Sequence, residues 1–134
     1  MQLIDTHAHI YLPEFDGTRE EELKAAKARG VYQVLMPAID SSTHRLMLDL
    51  EQLGPQYSSM IGLHPCSVKE GFEEELAIVE SWLQKRDFIA IGEIGLDFYW
   101  DTTFKAEQYA AFHRQIQWAE ARNIPISIHC IKSK

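Results

Sequence analysis

The sequence predicts an α/β fold with a parallel sheet, and three observations carry that prediction. Short apolar or β-branched runs alternate with longer stretches of helical periodicity. Each run is bounded by Gly, Pro or polar residues, and imidazole or carboxylate side chains recur toward the ends of the runs. The strand candidates are residues 3–10, 31–37, 58–63, 88–96 and 125–130. Between them, residues 18–29, 42–53, 73–85 and 104–122 place apolar side chains at helical spacing.

The first helical stretch begins at Thr18 and carries Glu20, Glu21 and Glu22 in its first turn, where carboxylates favour the helix macrodipole. Gly30 and Gly54 fall where the first and second helices should stop. Trp82 and Trp118 are expected to face the core from the third and fourth helices, and His44 and His113 to be surface or helix-packing residues. The chain order is therefore β1α1β2α2β3α3β4α4β5. A closed (β/α)8 barrel needs eight such pairs and about 250 residues. The expectation is a partial TIM-type barrel: a single domain over residues 1–134, truncated after the fifth strand, as from a shortened or frameshifted gene. Its final residues, Ile131 to Lys134, would follow that strand without a further helix, and two open sheet edges would be available for self-association.

Composition narrows the class. At 134 residues, 46% hydrophobic and 25% charged, the chain has the make-up of one soluble domain. No apolar run approaches the roughly 18 residues of a membrane span, and the N-terminus opens straight into a strand, so a cytoplasmic protein is expected. Two cysteines exclude a disulfide framework or a cysteine-rich zinc site, and both should be thiols. Cys130 should point away from its neighbour His129, toward a helix layer, whereas Cys66 has no assigned direction. A net charge of −7 argues against nucleic-acid binding through a broad basic field, so a phosphodiester substrate would need bound cations to supply positive charge.

The residues that carry chemistry lie on different strands. In Asp5-Thr6-His7-Ala8-His9, the two histidines are two apart on the first strand candidate and share a face, so both can ligate one ion. Gly92-Glu93-Ile94-Gly95-Leu96-Asp97 places a carboxylate inside an apolar strand, with Ile89, Ile91, Glu93 and Gly95 on one face and the glycines leaving room beside it. A buried carboxylate is costly alone, and a cation would offset that cost; the competing reading is an ion pair with Lys or Arg. His129 ends the fifth strand candidate. Together, His7, His9, Glu93 and His129 form a nitrogen and oxygen donor set suited to Zn, Mn or Mg. His64, in Gly62-Leu63-His64-Pro65, is either a phosphate contact and general acid or a loop histidine fixed by Pro65. Asp97, Tyr99 and Trp100 offer a polar and aromatic rim for a base or sugar.

These motifs resemble the TatD family of metal-dependent deoxyribonucleases. The resemblance spans the whole chain and rests on Ile4-Asp5-Thr6-His7-Ala8-His9, Gly62-Leu63-His64-Pro65, Ala90-Ile91-Gly92-Glu93-Ile94-Gly95-Leu96-Asp97-Phe98 and Pro125-Ile126-Ser127-Ile128-His129-Cys130. It implies a barrel hydrolase that cleaves DNA phosphodiesters with two divalent ions, one held by His7 and His9, one by His129, and both bridged by Glu93. It also implies a histidine after a sixth strand and an aspartate after an eighth, regions the chain does not contain. Ile131 stands where the family commonly has an arginine. Two alternatives stay open: a catalytically impaired metal-binding half-barrel acting as an oligomer, and an amidohydrolase-type C–N hydrolase using the same rim.

Overall fold

The computed structural model describes residues 1–132; Ser133 and Lys134, the end of the expected tail, lie outside the described residues. The elements follow in strict alternation: β1 (Leu3–Asp5), α1 (Arg19–Ala28), β2 (Val31–Pro37), α2 (Ser41–Glu51), β3 (Tyr57–Ile61), α3 (Phe72–Lys85), β4 (Ala90–Asp97), α4 (Lys105–Arg122) and β5 (Ile126–Ile131). All pairings are parallel and the strand order is β1-β2-β3-β4-β5, so each strand lies beside its predecessor across one helical connection. An order without reversal is that of a (β/α)8 barrel opened along one seam. The expected partial barrel is therefore the observed fold.

Local chemistry explains most boundaries. α2 opens on a capping box in which the Asp40 side chain and Thr43 each accept a backbone N–H of the other's end. At α1, Thr18 makes no side-chain cap, and the acidic first turn of Glu20, Glu21 and Glu22 stands alone there. Gly30 follows α1 at φ 95°, packed so closely on the Met1 carbonyl that a Cβ would collide with it.

The largest core cluster joins Val34, Met36, Ile61, Ile91 and Ile94 of the sheet to Met47, Leu48 and Leu50 of α2, Val79 and Leu83 of α3, and Ala119 of α4. Trp82 and Trp118 flank it, as the helical spacing requires. Full burial of one such aliphatic side chain stabilises by about 1.5–3 kcal/mol. Within this frame Ala90 through Gly95 of β4 are all buried, as expected for a strand with neighbours on both edges. No helix among the described residues is long and apolar enough to cross a membrane.

Three expectations are corrected. The first strand candidate, 3–10, forms a ladder only over Leu3–Asp5, because past Asp5 the segment keeps just one backbone bond to β2 among the described residues, from the Ala8 N–H to the Leu35 carbonyl. Cys130 is exposed, because β5 is an edge strand and no helix of the described residues follows to cover it. The single face proposed for Ile89, Ile91, Glu93 and Gly95 does not exist as such. Ile89 precedes β4 and is exposed, and the β4–β5 register shifts between Ile91 and Ile94. The space beside Gly92 and Gly95 is filled by β5. A Cβ on Gly92 would meet the Ser127 side chain, and Gly95, at φ 143°, backs onto the His129 backbone.

Candidate metal centre

Four histidines, two from the segment after β1, one from the end of β3 and one from β5, converge on the Glu93 carboxylate of β4. His7 and His9 lie past β1, yet Ala8 between them still donates to Leu35 of β2 at 3.1 Å, so the extended backbone keeps both imidazoles on one side. Arg19 braces the continuation of this segment by donating to the carbonyls of Ile10, Tyr11 and Leu12. His64 follows β3 and begins a single helical turn at Pro65, its backbone N–H bonded to Ile39. His129 lies on β5 opposite Gly95 in the register.

Glu93 is 6% exposed, and its partners among the described residues are imidazoles. Its Oε2 lies 3.2 Å from His7 Nε2, 3.3 Å from His9 Nε2 and 3.7 Å from His64 Nε2. Its Oε1 lies 3.0 Å from His129 Nδ1. Among the described residues, the alternative of an ion pair with Lys or Arg does not occur. Burial, the largest influence, pushes the Glu93 carboxyl upward, but the His9 contact, the neighbouring His64 and His7, and the His129 contact outweigh it and hold the group down at about 2. Two overlapping groups result, His7–His9–Glu93 and His64–Glu93–His129, in each of which one ligand atom per residue lies within 4.8 Å of the others.

Outer contacts set which nitrogen the neutral imidazoles of His9 and His64 present. The Tyr11 hydroxyl gives its one proton to the Pro37 carbonyl, so it must accept from His9 Nδ1 at 3.1 Å. The His9 Nε2 lone pair then faces Glu93. His64 Nδ1 accepts the Cys66 N–H at 3.0 Å, which places the proton of a neutral His64 on Nε2, turned into the site as a donor. Burial lowers the His64 pKa and favours that neutral form. His7 Nδ1 lies 3.4 Å from the Ser127 hydroxyl. Wherever an imidazole lone pair faces the carboxylate, the contact is repulsive unless a proton or a metal ion sits between them.

The remaining site candidates divide. Asp97, expected on the rim, is 2% exposed, with its carboxylate against His129 Nε2, Cys66 Sγ and the Tyr99 N–H. Burial is the largest influence on it, outweighed by the hydrogen bonds from His129 and Tyr99, so its pKa is lowered. The Cys66 thiol is pushed up to about 11, by burial first and then by Asp97. Tyr99 and Trp100 are exposed beyond β4, stacked edge to face at 4.6 Å, with Lys132 Nζ 4.9 Å from the Tyr99 ring. His44 is buried on α2, where burial lowers its pKa, and His113 is exposed on α4; neither joins the cluster.

Sequence reasoning missed the supports. Gln108 and Gln115, buried two turns apart on one face of α4, each bond a peptide at a strand end. Gln108 accepts the Asp97 N–H at 2.8 Å and donates to the Asp97 carbonyl at 3.0 Å, and Gln115 accepts the Leu63 N–H at 2.8 Å. The available signal was a pair of amides at heptad spacing among core-facing positions. Tyr11, buried two residues after His9, carried a similar signal.

The chain has relatives among known proteins. The family described as TatD related DNase matches residues 4–134. The chain is 37% identical over 128 residues to an uncharacterized metal-dependent hydrolase, YabD, of Bacillus subtilis, covering 95% of this chain and 50% of that protein. It is 27% identical over 129 residues to a protein of Erwinia tasmaniensis named 3'-5' ssDNA/RNA exonuclease TatD, covering 96% of this chain and 50% of that one. The crystal structure of the Escherichia coli TatD homologue YjjV superimposes with a TM-score of 0.88 at 28% identity, over 97% of this chain and 51% of that chain. The chain thus spans about half the length of these relatives. On fold and sequence alike, it belongs to the TatD family of metal-dependent hydrolases.

Proposed function

We propose that residues 1–134 act as one domain that hydrolyses phosphodiester bonds of DNA with the help of two divalent cations, Mg, Mn or Zn. One observation carries the reading: a buried carboxylate is ringed by four imidazoles, and the fixed tautomer of His9 turns a lone pair toward it. Such a set is stable once positive charge lies between nitrogen and oxygen, and its hard and borderline donors fit those metals. His7, His9 and Glu93 would hold one ion; Glu93 and His129 would hold the other. Bound cations would lower the pKa of a water and neutralise phosphate charge.

His64 has a different task. With Nδ1 occupied by the Cys66 N–H, its Nε2–H points into the mouth as a donor to a substrate phosphate oxygen and as a general acid. The exposed Tyr99 ring offers a face to a base or sugar beside that mouth. The name of the Erwinia tasmaniensis relative supports nucleic acid as the substrate class.

The test is cleavage of single-stranded oligonucleotides by metal-stripped protein, then by the same protein reloaded with Mg, Mn or Zn. Cleavage should appear only on reloading and vanish with EDTA. EDTA-insensitive cleavage would overturn the mechanism, and turnover of amide substrates alone would favour C–N hydrolysis.

A second reading has its own support. β1 and β5 each pair on one side among the described strands, with Leu3, Ile4, Ile128 and Ile131 exposed, so a metal-binding half-barrel that self-associates through open edges fits too. It predicts oligomers in light scattering and no turnover after metal loading.

A further inference from the structure

The carboxylate nearest the His64–Glu93–His129 group, apart from Glu93 itself, belongs to Asp97, and its surroundings are unlike those of a residue waiting for substrate. It lies at the end of β4, 2% exposed. Oδ1 accepts the Tyr99 N–H at 3.0 Å, and Oδ2 faces His129 Nε2 at 2.8 Å and the Cys66 thiol at 3.3 Å. Its peptide is gripped on both sides by Gln108. Both oxygens and both backbone groups are therefore committed.

The imidazole of His129 sits between two carboxylates, with Asp97 at Nε2 and Glu93 at Nδ1. A neutral imidazole has one N–H. Asp97 approaches its nitrogen more closely, accepts no Lys or Arg among its described contacts, and is charge-matched to an N–H. If Asp97 takes the proton of Nε2, the lone pair of Nδ1 is aimed at the Glu93 oxygen and at any cation that carboxylate binds. A second carboxylate behind a ligating imidazole fixes its tautomer and ring plane and raises its basicity.

Resting on the metal reading above, we propose that Asp97 is a positioning residue that holds Nε2–H of His129 so that Nδ1 is presented to the cation shared with Glu93. Asp97 then acts on one side of the site only. Cys66 and Gln108 act further back, by keeping the Asp97 carboxylate in place.

The experiment titrates the metal-stripped chain and its Asp97→Asn variant with Co²⁺, following heat and the visible d–d bands. The asparagine keeps the size of the side chain and its acceptor for the Tyr99 N–H. The expected result is one ion bound as in the parent and a second bound about 10- to 100-fold more weakly, with an altered d–d spectrum. In parallel, long-range ¹H–¹⁵N spectra of the Zn²⁺-loaded parent should show His129 with Nε2 protonated and Nδ1 bound. That measurement needs no variant and holds even if Asp97→Asn misfolds. Two ions bound to Asp97→Asn with parental affinity, or His129 protonated on Nδ1 in the loaded parent, would overturn the proposal while leaving the metal reading intact. A parent chain that binds no divalent ion would remove the metal reading and this proposal with it.

Discussion

The two sides of Glu93 are built differently. His7 and His9 hang from the segment after a three-residue edge strand, with side chains 40% and 25% exposed, and are steadied by Tyr11 and by Arg19. His64 and His129 are 14% and 18% exposed and lie against a framework of Asp97, the Cys66 N–H, Gln108 and Gln115. β5 is an edge strand too, so the difference does not follow from position in the sheet. It follows from what stands behind each imidazole: a more exposed extended segment on one side, and on the other a buried strand end gripped by a helix.

Removing the group common to both sides should have the largest effect. Glu93→Gln keeps the shape but loses the charge, and metal affinity should fall by more than about 100-fold for both ions, beyond the range seen for outer supports. Elemental analysis after dialysis checks this, and retention of either ion would break the picture of a shared carboxylate.

Next in size are the one-sided losses. His9→Ala should empty the first group alone and His129→Ala the second alone, each lowering the stoichiometry from two to one by calorimetry. Loss of both ions in either variant would mean that the sides are one site.

The framework itself can be weakened without touching a ligand. Gln115→Ala strands the buried Leu63 N–H and should cost about 1–3 kcal/mol, read as a lower urea midpoint at an unchanged slope. The smallest effect is expected from Tyr11→Phe, which removes the acceptor behind His9. It should weaken only the first ion, by about tenfold, with the second unchanged in the same titration.

Much of this was legible beforehand. Alternating periodicity located every strand and helix, with most ends displaced by one or two residues, because period-2 and period-3.6 patterning reflects which face is buried. Glu93 was conspicuous as a carboxylate inside an apolar run, and His7, His9 and His129 as imidazoles near strand ends. Where the reading of the strands failed, pairing was the cause. The eight-residue first strand shrank to three because a ladder needs a partner in register, and the face containing Ile89 and Glu93 dissolved where β4 and β5 slip past each other. Asp97 looked like a rim residue because sequence places it in a loop-facing position, but α4 and the turn after His64 close over it.

The order of elements and the kinds of donor near their ends were written in the chain itself, because burial periodicity and side-chain chemistry are local properties. Which imidazole nitrogen faces the carboxylate, which side of the site is braced and which carboxylate stands behind His129 were decided by the tertiary structure. Those choices depend on contacts between residues such as Asp97 and His129, 32 positions apart, whose distance only folding sets.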